Sequence, residues 1–132
     1  MRYAKDFRFR AWMPKSQEML VAVNLHEMCL LNSGAGVTRS AILMQYVGAE
    51  DCECKPVFES DYLSDGFTIW EVQYIKSQCG FSAKAVAGAE THEWFSLWHL
   101  LHRHNEGRKV RIVGNKWEYT GPLSELLERG KS

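Results

Sequence analysis

The stretch that most constrains the fold is the hydrophobic run at residues 42–48, ILMQYVG, which ends at a glycine. A short apolar run that stops at a turn residue is typical of a buried β-strand. The polar residues 49–54 then predict a turn that returns the chain to a second extended segment at Pro56. As a strand, the run places Ile42, Met44 and Tyr46 on one face and Leu43, Gln45 and Val47 on the other.

Length and composition predict a single folded domain, residues 1–132. Hydrophobic residues make up 45% of the chain and aromatic residues 12%, which excludes a disordered protein. No apolar run approaches the roughly 20 residues that a membrane-spanning helix needs. The first ten residues are charged where a signal peptide requires an apolar segment. We therefore expect a cytoplasmic protein.

Most of the chain has the pattern of β-strands. Residues 7–12 alternate apolar and charged side chains, and residues 18–23 provide a partner strand, which together predict an N-terminal hairpin. In that hairpin Trp12 shares a face with Arg8 and Arg10, where its ring can stack on a guanidinium. Three further β-prone segments follow, at residues 67–75, 81–86 and 110–119, and the first of these is expected to be a central strand. Gly114 and Asn115 indicate a bulge or tight bend in the last one.

Two segments have the pattern of helices. Residues 91–106 predict an amphipathic helix with Thr91 as its N-cap, and its apolar face is formed by Trp94, Leu97, Trp98 and Leu101. A short C-terminal helical turn is expected to begin at Pro122 and to bury Leu123, Leu126 and Leu127. The predicted fold class is therefore α+β, and mainly β.

The cysteines and histidines are the candidate metal ligands. The chain has four cysteines, Cys29, Cys52, Cys54 and Cys79. We expect them to be free thiols, because Cys52 and Cys54 are separated by one residue only and the sequence has no second close pair to complete a zinc site. Four histidines fall on the predicted helix, at His92, His99, His102 and His104. Because residues three apart on a helix can bind the same metal ion, a metal-assisted enzyme is an alternative hypothesis. The HExxH pattern is absent from the sequence, so solvent-facing histidines are favoured.

The chain carries no net charge, but its charges are segregated. Residues 1–15 and residues 103–116 each carry five basic residues and one acid, whereas residues 50–71 carry seven acids and one lysine. Basic residues interleaved with aromatics on strands are used by proteins that bind single-stranded nucleic acids. The candidate nucleic-acid-binding residues are Arg8, Arg10, Trp12, Lys109, Arg111, Lys116 and Trp117. They form one patch only if the N-terminal hairpin and the strand at residue 110 are neighbours.

The acidic residues offer one candidate catalytic pair. Asp61 and Asp65 are close enough in sequence to act together in hydrolysis, but their position beside a turn favours hydrogen bonds to the turn backbone. We therefore predict no catalytic and no cofactor-binding residues.

Four short motifs carry a resemblance to a known family. They are Phe9-Arg10-Ala11-Trp12, Leu43-Met44-Gln45-Tyr46-Val47-Gly48, Phe58-Glu59-Ser60-Asp61 and Val113-Gly114-Asn115-Lys116-Trp117-Glu118. In this order and spacing the chain resembles the YopX-like proteins of bacteriophages and prophages. Val47 and Ser60 depart from the usual threonine and glycine of the family.

The resemblance implies a small, mainly β protein with an N-terminal β region, residues 1–48, and an SH3-like or barrel-like C-terminal region, residues 49–132. It also implies self-association in the cytoplasm of a bacterial host, and it implies no activity. The expected function is a non-enzymatic, homo-oligomeric interaction or scaffold module. A nucleic-acid-binding accessory protein is the alternative, and the metal-assisted enzyme is the second alternative.

Overall fold

A computed structural model describes residues 8–23, 41–88, 94–102 and 109–131. Nine strands are present in these ranges: β1 Phe9–Met13, β2 Glu18–Val23, β3 Ile42–Glu50, β4 Pro56–Phe58, β5 Asp61–Ser64, β6 Thr68–Ile75, β7 Gly80–Gly88, β8 Trp94–Ser96 and β9 Arg111–Asn115. Two helices accompany them, α1 Leu97–Leu101 and α2 Leu123–Gly130, with a 3-10 turn at Lys76–Gln78. The prediction of a mainly β, α+β fold is confirmed.

The strands form two antiparallel sheets. The first has four strands in the order β2-β1-β3-β4, and the second has five in the order β8-β7-β6-β5-β9, curved as a half-barrel. The hydrophobic run at residues 42–48 forms most of β3, which lies inside the first sheet with the predicted hairpin beside it. The boundary suggested after residue 48 falls within β3, because β3 continues to Glu50 and pairs with β4.

The central strand of the second sheet is β6, as its β-branched and aromatic composition predicts. Its core includes Trp70, Val72 and Leu63, which pack against the buried leucines of α1. The expected irregularity in β9 is also present: Tyr62 pairs with Gly114 and Leu63 with Ile112, so Val113 is the extra residue of a bulge. The strand predicted at residues 67–75 is therefore confirmed, whereas the strand predicted over residues 110–119 ends at Asn115 because residues 116–118 form a turn.

The C-terminal helix agrees with the sequence, and the internal helix does not. In α2 Leu126 is fully buried, and Leu123 and Leu127 pack against the same cluster. The helix predicted over residues 91–106 is wrong at its start, because Trp94–Ser96 is a strand that pairs with β7. The helix begins at Leu97, and Ser96 is its N-cap, since the Ser96 hydroxyl accepts from the backbone N–H of His99. The predicted N-cap, Thr91, lies outside the described residues.

The apolar face predicted for that helix is also corrected. Leu97, Leu100 and Leu101 are buried, but Trp98 and Trp94 are exposed. A five-residue helix can bury only one narrow stripe, and here the leucines occupy it. Among the described helices, none is long and apolar enough to cross a membrane.

Candidate functional site

The face of β1 that carries the arginines packs against aromatic rings. The Arg8 guanidinium lies 4.2 Å from the centre of the Tyr46 ring, and that of Arg10 lies 4.1 Å from the centre of the Phe58 ring. Trp12, on the same face, is only 8% exposed and belongs to the core cluster of Met44, Tyr46 and Phe58. The sequence predicted Trp12 as the ring that stacks on a guanidinium, whereas the described rings that lie under Arg8 and Arg10 are Tyr46 and Phe58.

Arg10 also forms a partly buried ion pair with Asp61, at 2.5 Å between Nη2 and Oδ1. Asp61 is only 1% exposed. Its two oxygens accept two further hydrogen bonds, from the backbone N–H of Phe58 at 2.9 Å and from Asn115 Nδ2 at 3.0 Å. Three donors thus converge on one carboxylate, so both of its oxygens are hydrogen-bonded inside the protein.

Burial dominates the electrostatics of this carboxylate. It raises the pKa of Asp61 above its ordinary value, while the Arg10 guanidinium and the hydrogen bonds from Phe58 and Asn115 oppose the shift. Removing one partner of such a pair leaves an uncompensated buried charge. The pair therefore ties β1 of the first sheet to β5 of the second.

The four motifs of the sequence meet at this ion pair. Asn115 Nδ2 also lies 3.4 Å from Met44 Sδ, and Asn115 Oδ1 accepts from the backbone N–H of Trp117 at 3.0 Å. The Trp117 ring packs on the same cluster as Trp12, and its Nε1 donates to Ser60 Oγ at 3.2 Å. We call this set the motif junction; it consists of Arg10, Met44, Asp61, Asn115 and Trp117. Each motif contributes at least one residue to it.

A pocket of about 350 Å³ lies beside the motif junction. Its charged residues are Arg10, Asp61, Glu118 and Arg129. Arg129 Nη1 donates to the carbonyl of Val113 at 3.0 Å, and its guanidinium lies 5.1 Å from the centre of the Tyr119 ring. We call this the junction pocket; its lining is completed by Ile112, Gly114, Asn115 and Tyr119.

The seven candidate nucleic-acid-binding residues fall into two groups. Arg8, Arg10, Trp12, Lys116 and Trp117 lie around the motif junction, and Lys116 approaches Glu71 at 3.8 Å. Arg111 pairs with Ser64 and so lies at the opposite end of β9 from Asn115, about 13 Å away at the usual strand rise. Lys109 precedes it. The condition for a single basic patch, that the N-terminal hairpin and the strand at residue 110 are neighbours, is thus met at one end of β9 only.

The start of β9 is held by a buried acidic residue. Asp51 Oδ1 accepts from the backbone N–H groups of Glu53 and Lys55, and Asp51 Oδ2 accepts from that of Ile112 at 2.9 Å. Cys52 N–H also donates to the carbonyl of Val110. The loop after β3 is therefore fixed to β9, and the acidic segment has a structural role here. Asp65 likewise accepts from the backbone N–H groups of Phe67 and Thr68, as the turn interpretation predicts.

The described metal-ligand candidates do not converge. Cys52, Cys54 and Cys79 are exposed free thiols, and burial raises the pKa of the Cys52 thiol. Within the described ranges, no group of three potential ligands is close enough to hold a metal ion. His102 stacks on the ring of Trp98 with 4.4 Å between centres, and the edge of His99 contacts the same ring. Cys29, His92 and His104 lie outside the described residues.

The second surface feature is an aromatic cleft that the sequence did not predict. It has a volume of about 500 Å³ and lies where β8 and α1 meet the start of β7. Trp94 is 49% exposed and Trp98 64% exposed. We call it the aromatic cleft; its described lining consists of Gln78, Phe81, Ser82, Trp94, Phe95, Ser96, Leu97 and Trp98.

The neighbours of the aromatic cleft extend its apolar surface. Tyr74, which is also exposed, packs edge-on against Phe81 with 5.4 Å between ring centres. Lys84 Nζ lies 5.5 Å from the centre of the Trp94 ring. Helical spacing assigned both tryptophans to a buried face, and only the adjacent β-prone residues Trp94 and Phe95 could have indicated a strand instead.

Comparison with known proteins supports the fold and assigns no function. Protein EF1440 from Enterococcus faecalis has a similar solved structure, with a TM-score of 0.59 and 18% identity, over 92% of this chain and 97% of that chain. No family model matches the chain. No curated protein matches it.

Proposed function

We propose that the protein is a non-enzymatic interaction module that self-associates through the aromatic cleft. The observation that carries this proposal is the exposure of Trp94 and Trp98 on either side of one cleft. Large aromatic side chains are enriched at protein interfaces, and a contiguous exposed apolar surface on a small domain marks a binding site. Trp94 also lies on β8, the outermost strand of the second sheet among the described strands.

A second copy of the chain fits this surface best. In a two-fold contact each patch faces its own copy, so a charged patch would repel itself. Every described residue that lines the aromatic cleft is uncharged. Antiparallel pairing of β8 with its symmetry mate would extend the sheet and place the tryptophans of both copies around the axis. Homo-oligomer formation is therefore supported by both the shape and the charge of the surface.

Nucleic-acid binding through the basic strands has less support. Trp12 is too deeply buried to offer its ring to a base. Lys109 and Arg111 lie apart from the other candidates along β9. The alternative remains distinguishable because phosphate binding weakens steeply as salt rises, whereas burial of tryptophan does not.

We also propose, from the resemblance, that the protein belongs with the YopX-like proteins of phages and prophages, has an SH3-like C-terminal region and acts in the cytoplasm of a bacterial host. The support is spatial. Four motifs chosen from separate parts of the sequence share one cluster, the motif junction, as expected of residues that define a common fold.

Sedimentation velocity over a wide range of protein concentrations tests the self-association. The wild-type protein is expected to reach the mass of a dimer or larger oligomer, and the double variant Trp94→Ser, Trp98→Ser is expected to stay monomeric. Phe67→Ser is the matched control, because Phe67 is 67% exposed but precedes β6 at the end away from the aromatic cleft. A wild-type monomer at every concentration would refute the proposal, as would equal loss of association in the Phe67 variant.

A further inference from the structure

We infer that the junction pocket is a binding site for the anionic group, carboxylate or phosphate, of a small ligand. This site is separate from the aromatic cleft: it lies between β9, α2 and the arginine of β1, and the cleft is built from β7, β8 and α1. The inference therefore does not depend on self-association.

The internal polar groups of the pocket are already satisfied by one another. Asp61 accepts from Arg10, Phe58 and Asn115. The Asn115 side chain donates to Asp61 and accepts from Trp117. The Tyr119 hydroxyl lies within hydrogen-bond distance of the Pro122 carbonyl and of Glu125 Oε2. These groups shape the pocket and offer little to a ligand.

Arg10 is different, because it has more hydrogen-bond donors than the described structure has acceptors for them. A guanidinium has five N–H groups, and Asp61 is the hydrogen-bond acceptor that the described structure provides. The Arg10 Nε is buried and makes no hydrogen bond among the described residues, so the donors that remain for a ligand are those on the two Nη groups. The side chain is 18% exposed and lines the junction pocket. Donors left over on a pocket-lining guanidinium are suited to a carboxylate or phosphate.

The remaining charges set the selectivity of the site. Arg129 lines the same pocket and adds positive potential, whereas Glu118 is an exposed carboxylate at the pocket surface. Glu118 opposes an incoming anion, so the site should favour a compact anionic group that reaches Arg10 over a highly charged polyanion. A nucleic-acid backbone is therefore expected to bind less well at this site than a small anion.

Titration of ¹⁵N-labelled protein with sodium phosphate or sodium acetate, each against sodium chloride at the same ionic strength, tests the inference by NMR. Both probes are expected to shift the Gly114 amide and the Asn115 side-chain amide saturably, and chloride is not. Tighter binding of phosphate would point to a phosphate-bearing ligand, and tighter binding of acetate to a carboxylate. The absence of any saturable shift, or equal shifts with chloride, would overturn the inference.

Variants identify the group responsible. Glu118→Gln is expected to tighten binding about two- to fivefold, because it removes a nearby like charge in a solvated pocket. The paired change Arg10→Gln, Asp61→Asn removes both buried charges together and is expected to abolish binding. Lys116→Gln, which removes an exposed cation that does not line the pocket, is the control and should have no effect. Weaker binding by Glu118→Gln than by the wild-type protein would contradict an anion site at Arg10. A loss of binding in Lys116→Gln as large as that in the paired Arg10 and Asp61 variant would also contradict it.

Discussion

The motif junction and the aromatic cleft differ in almost every physical respect. The junction is buried, charged and joined by hydrogen bonds between residues 51 to 71 positions apart in the sequence. The cleft is exposed, uncharged among its described residues and formed largely by neighbouring elements of one sheet. Aromatic side chains lie at both, since Trp12, Tyr46 and Phe58 pack beside the junction, so composition alone does not distinguish the two regions.

The difference separates residues that hold the fold from residues that remain free to bind. Beside the junction, the guanidinium groups of Arg8 and Arg10 lie over the rings of Tyr46 and Phe58, and these two rings also contact each other. At the cleft, Trp94 and Trp98 keep about half or more of their surface exposed. Substitutions at the junction should therefore change stability, and substitutions at the cleft should change association.

The largest effect is expected from Asp61→Ala. Loss of the carboxylate leaves Arg10 buried without its counter-charge, and the free energy of unfolding should fall by about 3–5 kcal/mol. Urea denaturation followed by tryptophan fluorescence measures it. Asp65→Ala is the comparison variant, since the Asp65 carboxylate accepts from the backbone N–H groups of Phe67 and Thr68 in its own turn. A loss at Asp61 no larger than that at Asp65 would show that the junction is not a stabilising centre.

A smaller effect is expected from Asp51→Ala. The substitution removes the acceptor of three backbone N–H groups, including the link to Ile112, and should lower the free energy of unfolding by about 2–3 kcal/mol. Hydrogen exchange of the Ile112 amide, which should become faster, locates the effect. Unchanged exchange at Ile112 would mean that the loop after β3 does not hold β9.

The smallest effect on stability is expected at the cleft. Trp98→Ser should change the free energy of unfolding of the monomer by less than about 0.5 kcal/mol, because the exposed ring contributes little to the core. Denaturation at a concentration where the protein is monomeric provides the measurement. A loss comparable to that of Asp61→Ala would place Trp98 in the core and remove the contrast between the two regions.

The sequence predicted the strands that contribute to the junction, but it did not predict the contacts between their side chains. Alternation in residues 7–12 and the run at 42–48 identify β1 and β3 because strand periodicity is a local property. The ion pair between Arg10 and Asp61 joins residues 51 positions apart, and nothing in local periodicity specifies such a contact. The motifs marked the right residues, and the folded chain was needed to show that they touch.

The cleft shows where local pattern reading fails. Trp94, Leu97, Trp98 and Leu101 have helical spacing, but spacing does not reveal that β7 offers a free edge to pair with. Pairing of Trp94 with Lys84 converts the first turn of the expected helix into β8 and moves the helix start to Leu97. Tertiary pairing thus overrode helical periodicity, and this change is what exposes both tryptophans.

Hydrogen–deuterium exchange of the β8 amides at low and high protein concentration tests the central claim most directly. If the outer edge of β8 is a self-association surface, exchange at Trp94–Ser96 slows as concentration rises, while exchange in the hairpin of β1 and β2 stays constant. The slowing should disappear in the double variant Trp94→Ser, Trp98→Ser. Exchange in β8 that is independent of concentration would contradict the account.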